Sequence, residues 1–267
     1  MIAKPVCRLI LLAALLLGTG LSVSLSAQNR KAKKHTFTLV LDPGHGGKDA
    51  GACGNGGKEK NINLAVALEV MRLVKAELPE IKVLATRTDD RFIGLSERAR
   101  FANRNNADLF ISIHTNSAEN RSAKGIETYI LGLHRSDDNL RVAMKENQSI
   151  LLEDNYREKY QSFDPSSTES YIIFDFIQKK HLDQSLSAAT YVQQALVPTG
   201  NSDRGVRQAG FLVIRETAMP SILIELGFIS NKADAGYLLS SAGQKQMAKA
   251  IARGISRYYT NWKKAGK

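Results

Sequence analysis

Two apolar periods alternate along the chain. Short β-rich runs occupy residues 36–41, 81–85, 109–113, 125–131, 210–215 and 222–224, each closed by a polar or turn-forming stretch. Between them the period lengthens to that of a helix. Residues 61–78 carry Ile62, Leu64, Ala65 and Leu68 on one stripe and stop at Pro79; residues 97–104 follow Ser96, which reads as an N-cap. Asn231 opens a further capped turn, and residues 243–259 form a closing helix. This β-α-β-α-β order predicts an α/β fold: one domain, with a central mixed, mostly parallel sheet of about six strands flanked by helices.

Residues 134–200 break the rhythm. They are polar, charged and helix-prone, with no apolar strand, and so read as a helical insertion within a domain spanning 36–260, followed by a short tail at 261–267. At the other end, Lys4 and Arg8 precede the apolar run 9–17 and the small residues 22–27. That is the pattern of a secretory signal, residues 1–27, cleaved near 26–27 and followed by a basic linker at 28–35. The apolar run is shorter than the roughly 20 residues that span a bilayer. An exported protein is therefore expected.

Charge and cysteine content narrow the chemistry. The 37 basic and 26 acidic side chains give +11, and +9 once Lys4 and Arg8 are removed. The bases are scattered, and export argues against nucleic acid as a partner. Only Cys53 remains after the signal, which excludes an intrachain disulfide and a cysteine-based zinc site. Cys53 sits in a glycine-rich loop with no apolar or basic neighbour, and its role is left open. Any metal must be held by histidine and carboxylate.

Such residues stand at strand ends. His45 follows the first strand among Gly44, Gly46 and Gly47; His114 follows LFISI; Glu225 follows Ile222-Leu223-Ile224; and Glu59 lies where the first helix starts. Ligand sites in open α/β sheets form at the carboxyl ends of strands, so these side chains are expected on one rim. A single histidine at a strand end is most often a capped surface residue. Two of them, with Glu59 near, have the composition of a catalytic zinc site with an open position. Glu225 would be desolvated behind its apolar run, which suits a general base. The glycines are expected to free space for substrate and to allow positive φ. A phosphate loop is excluded, because Lys58 precedes Glu59 rather than Ser or Thr, and no Gly-x-Ser-x-Gly pattern occurs.

The segments LDPGHGGKDAG, GKEKNINLAVAL, ADLFISIHTNS, GIETYIL and RGVRQAGFLVIRETAMPSILIELGFISN resemble, in order and spacing, the zinc-dependent N-acetylmuramoyl-L-alanine amidases of the bacterial cell wall. The resemblance implies one zinc ion per chain, held by His45, Glu59 and His114, with Glu225 as catalytic acid and base. It implies peptidoglycan as substrate, cut at the amide between N-acetylmuramic acid and L-alanine, in the periplasm, by a chain expected to be monomeric. Arg87, Arg98 and Asn103 match polar positions of the pattern, as structural or substrate-orienting residues. Cell-division members carry a helical insertion that covers the site and offers an acidic side chain to the zinc until an activator protein removes it. Glu146, Glu153 and Glu158 are the candidates here; the alternative is that the insertion only forms a peptide-binding rim. Two rival functions stay open from the residues alone: a zinc peptidase cutting within the stem peptide, and a non-catalytic wall-binding protein on the same fold.

Overall fold

The computed structural model describes residues 35–172 and 181–266. The expected signal segment and nearly all of the basic linker lie outside the described residues. Among the described residues, eight strands form a six-stranded sheet and a small hairpin. The sheet contains β1 (Thr38–Pro43), β4 (Lys82–Ala85), β5 (Leu109–Asn116), β6 (Ile126–Leu131), β7 (Asp203–Ala209) and β8 (Ser221–Phe228), ordered β4-β1-β5-β8-β6-β7. β2 (Cys53–Gly54) and β3 (Gly57–Lys58) make the hairpin. Only the β6–β8 pairing within the large sheet is antiparallel. The mixed, mostly parallel sheet is as the sequence pattern predicts.

Buried strands feed both faces by simple alternation. Leu39 and Leu41 point to one side, with Ile111, Ile113, Ile222 and Ile224. There they meet α1 (Glu59–Glu77), α5 (Leu182–Leu196) and α8 (Ser241–Lys264). Val40, Phe110, Tyr129 and Leu223 point to the other side, against α2 (Leu95–Arg104), α3 (Asp137–Asn147) and α6 (Leu212–Arg215). A short α4 (Tyr156–Lys159) and the 3-10 turns Gln148–Leu152 and Thr168–Ile172 complete the second layer, and α7 (Lys232–Leu238) leads into α8. Asn231 caps α7, its side chain accepting from the backbone of Ala233 and Asp234.

Three local expectations are corrected. Residues 210–215 are not a strand: α6 takes Leu212–Arg215, and the edge strand β7 lies just before it. The apolar run FLVI is buried from all sides against the second layer, where helix and strand have the same hydrophobic signature over so few residues. Ser96 is not the N-cap of α2; Gly94 is, and the helix begins at Leu95. The carboxylate of Glu153 accepts from the Leu95 backbone at 2.8 Å, replacing a side-chain cap from within the helix. Finally, the stretch expected as an insertion divides in two. α5 belongs to the main core through Ala188, Ala189, Val192 and Leu196, whereas α3, α4 and the turns around them cover the opposite face.

Candidate metal centre

The rim where β1, β5 and β8 end carries the site. The loop after β1 turns sharply at His45, whose φ of 60° is left-handed although it is not glycine. Buried groups hold that conformation. The Arg98 guanidinium donates to the carbonyl oxygens of Pro43 (2.8 Å) and His45 (2.9 Å) and to Asp42 Oδ1 (2.8 Å). Arg87, fully buried, donates to the carbonyl oxygens of Pro43, Gly44, Asp89 and Lys60. Both arginines thus clamp the backbone on either side of the histidine rather than face a substrate. Burial pulls the Arg87 guanidinium down to about 10, helped by the neighbouring Arg98 charge. Asn103, the third polar position of the pattern, holds the turn before β8, donating to the Glu216 carbonyl and accepting from the Ala218 backbone.

The glycines make room for the protein's own groups, not for a substrate. A methyl carbon on Gly44 would lie 2.4 Å from the His114 ring, and one on Gly51 would lie 2.6 Å from His45 and 2.7 Å from Glu59. The expectation of open space beside the metal is therefore corrected: two imidazoles and a carboxylate fill it.

His45, Glu59 and His114 converge as expected. Nε2 of His45 and Nδ1 of His114 each lie 3.2 Å from Oε1 of Glu59. The rings are near-perpendicular, with centroids 4.9 Å apart. On its far side His45 Nδ1 pairs with Asp49 Oδ2 at 2.8 Å, which fixes the tautomer that leaves Nε2 free for a cation. Glu59, with no exposed surface, accepts from the backbone N–H groups of Ala52 (2.7 Å) and Thr115 (2.9 Å) and from Asn63 (3.2 Å). Burial alone would raise its pKa; the charges and hydrogen bonds of His45 and His114 win and hold it well below the carboxylate range.

A fourth group completes the cluster. Glu146, near the end of α3, places Oε2 2.9 Å from both His45 Nε2 and His114 Nδ1. One ligand atom from each of His45, Glu59, His114 and Glu146 lies within 4.8 Å of the others, all four residues buried. Burial and the Glu59 charge push Glu146 up, but the two imidazoles outweigh them and hold it at about 2. Two carboxylates packed on two imidazoles without exposure are a donor set that a divalent cation fits, with two nitrogens and two oxygens. Of the three acidic residues expected to reach the metal, only Glu146 joins the His45–Glu59–His114 group. Glu153 instead ties α2 to Tyr160, accepting from its hydroxyl at 2.6 Å, and Glu158 is exposed on α4.

Glu225 stands beside the cluster. It is fully buried, and neither carboxylate oxygen has a hydrogen-bond partner among the described residues. Burial raises its pKa well above the ordinary value, and the Glu146 and Glu59 charges raise it further. Sequence reasoning missed Asp49 and Asp42. The four-residue spacing of His45 and Asp49 in a tight loop was the available signal for the first. Asp42 offers none, since its partners Thr86, Arg98 and Ser112 come from three distant elements.

Residues 39–257 match the family model described as N-acetylmuramoyl-L-alanine amidase. The chain belongs to that family. This amidase is 32% identical over 233 residues to the N-acetylmuramoyl-L-alanine amidase AmiA of Escherichia coli K12, covering 86% of this chain and 79% of AmiA. Among solved structures it is similar to the amidase AmiC2 of Nostoc punctiforme, with 30% identity, a TM-score of 0.63, and coverage of 85% of this chain and 98% of the other. The catalytic domain of CwlV, the amidase from Bacillus (Paenibacillus) polymyxa, aligns with 32% identity and a TM-score of 0.62, covering 84% of this chain and 98% of that domain. The amidase is accordingly a cell-wall peptidoglycan hydrolase with a buried group able to bind a metal ion. No helix among the described residues is long and apolar enough to cross a membrane.

Proposed function

We propose that the amidase uses a single zinc ion held by His45, Glu59 and His114, that Glu225 is its acid and base, and that Glu146 is an inhibitory cap at the same position. The observation that carries this reading is the adjacency of an unpartnered, buried carboxylate to a His/Glu/His group already converged on one point. Zinc in that group supplies a Lewis acid that polarises a carbonyl and acidifies water.

The chain's own residues do the rest. Asp49 and the arginine-clamped loop hold the His45 ring in place, and Asn63 and two backbone N–H groups do the same for Glu59. An oxygen of Glu225 takes the proton of the attacking water. The raised pKa of that carboxylate then suits it to return the proton to the leaving nitrogen of L-alanine. α3 closes the site on the substrate side, so substrate access requires it to move. From α3, Glu146 reaches His45 and His114, and its neighbour Lys145 places Nζ 3.9 Å from Glu146 Oε1. An activator protein acting on residues 134–172 is the simplest agent of that movement. The N-terminal signal pattern and the substrate both support a working place outside the cytoplasmic membrane, in the periplasm.

The test combines metal content and products. His45→Ala is expected to lose zinc, whereas Glu225→Ala keeps zinc and loses turnover. Digested peptidoglycan is expected to yield free lactyl carboxylates and intact stem peptides. Equal zinc loss in both variants would make Glu225 a ligand, and split peptides or free D-amino acids would make the enzyme a peptidase.

A further inference from the structure

The catalytic row does not end at Glu225. Glu127 of β6 is the antiparallel partner of Glu225, which is itself the parallel partner of His114. Paired residues on adjacent strands face the same side, so His114, Glu225 and Glu127 form one line across three strands. Glu127 is fully buried. Its Oε1 accepts from Asn116 (3.0 Å) and its Oε2 from Arg204 Nε (2.8 Å), with Arg207 Nε at 3.2 Å.

Arg204 owes its place to an irregularity of the edge strand. Ile126 pairs with Asp203 and Thr128 with Val206, so β7 sets two residues, Arg204 and Gly205, against Glu127 alone. Gly205 takes the left-handed φ of 80° that this bulge needs. The Arg204 guanidinium is then held twice. Glu127 engages its Nε, and its Cζ lies 5.0 Å from the centre of the Phe228 ring. Its two Nη groups have no hydrogen-bond partner among the described residues, and the side chain is 25% exposed. This is a fork fixed at its base with its prongs free, the geometry that receives a carboxylate in bidentate fashion.

The space in front of it is already built. Asn116, Glu127, Tyr129, Arg204 and Phe228 form one wall of a cavity of about 700 Å³. α3 forms the other wall, through Asp138, Arg141 and Lys145 among others. The acids of this cavity are largely answered from within: Arg141 pairs with Asp138 and Arg204 with Glu127, while Glu119 lies exposed at the loop. Arg207 donates to Asn139 of α3 and, through Nε, to the Arg204 carbonyl oxygen, so it braces the edge strand beside the cavity. The sheet wall then offers the Arg204 guanidinium, with Glu127 behind it occupied by Asn116 and by Nε of Arg204. α3 therefore covers the metal with Glu146 and this cavity with its outer turns.

We propose that Arg204, aimed by Glu127 and Phe228, is the specificity residue that binds a free carboxylate of the stem peptide, in a subsite that α3 covers while the cap is on. The inference rests on the amidase reading above. Two strand spacings of about 4.8 Å separate Glu225 from β7, and an extended peptide advances about 3.3 Å per residue. The recognised carboxylate thus belongs to the second or third residue beyond the cleaved amide.

The experiment uses muramoyl tripeptides that differ only in a free or amidated α-carboxyl at residue two or three. Binding is read by calorimetry on the full chain carrying Glu225→Gln and Glu146→Ala. One free acid is expected to bind more tightly than its amide. Adding Arg204→Gln is expected to weaken that acid about tenfold to a hundredfold, the effect of one charge-assisted hydrogen-bond pair, and to leave the amide unchanged. Arg204→Lys is expected to restore part of the preference. Equal affinity for acid and amide, or binding of neither, overturns the proposal; this comparison needs no Arg204 variant and so survives one that fails to fold. An equal loss for both peptides on Arg204→Gln would make Arg204 merely structural. Cleavage of the same peptides by the chain with Glu225 in place reports on the amidase reading separately: an intact lactyl–alanine amide would sink that reading whatever Arg204 does.

Discussion

His114 and Glu225 are register partners on the adjacent parallel strands β5 and β8, one a member of the metal group and the other a buried carboxylate with no hydrogen bond among the described residues. The sheet thus sets the distance between the proposed ligand and the proposed base, and no loop need move to assemble them. The proposed mechanism needs Glu225 deprotonated, and its pKa is raised by burial and then by Glu146 and Glu59. The acidic limb of kcat/KM against pH is therefore expected above the ordinary glutamate value of about 4.3. Replacing Glu146 by alanine removes the largest of the repelling charges, so the limb is expected to move to lower pH. A limb that stays in place, or moves up, would contradict the assignment of Glu225 as base.

Gly44→Ala tests the packing of the loop. The added carbon would lie 2.4 Å from the His114 imidazole, which is itself buried and cannot swing out freely. Overpacking of this kind costs about 1–3 kcal/mol. The strain falls on a proposed ligand rather than on the core, so metal affinity and turnover are expected to drop far more than the melting temperature. Zinc titration beside thermal unfolding separates the two; full zinc affinity in a destabilised variant would refute the placement of His114.

Asp42 makes a prediction about stability alone. It is fully buried, and although burial opposes its charge, Arg98, Thr86 and Ser112 hold its pKa below the usual value. A carboxylate with a depressed folded pKa contributes stability that is present above its unfolded pKa of about 3.9 and is lost as pH falls through its folded value. Asp42→Asn leaves Arg98 buried and unpaired, at a cost of about 3–5 kcal/mol at neutral pH. Urea unfolding from pH 7 down to 3 checks both points: the wild-type midpoint should fall in the acid range, and the variant should start lower and fall less steeply.

How much of this was legible in the sequence follows from how local each signal is. His45, His114 and Glu225 each close an apolar strand run, so both their position on the rim and their chemistry could be read from neighbours in the chain. Glu59 opens α1 and was legible for the same reason. The run at 212–215 was misread as strand because a short, fully buried segment shows no period. α5 was placed in the insertion because its small residues Ala188 and Ala189 carry little hydrophobic signal, although they let it pack closely on the core. Among the three acids, nothing local separates Glu146 from Glu153 or Glu158; the choice depends on how α3 is seated. Asn147 seats it, donating to the Gly210 carbonyl at 2.8 Å and accepting from the Leu212 backbone at 2.9 Å. Glu127 and Arg204 were invisible because the first needs strand register and the second a bulge.

In the proposed resting state, α3 holds the amidase closed by placing Glu146 on the His45–Glu59–His114 group. The direct measurement is release of stem peptides from purified peptidoglycan by the zinc-loaded full chain, compared with the same chain carrying Glu146→Ala. If the closed form makes up more than nine-tenths of the resting protein, the variant is expected to be faster by about tenfold or more. Unchanged or reduced release, with zinc content equal in the two proteins, would mean that Glu146 is a working ligand or a bystander and that α3 is no cap.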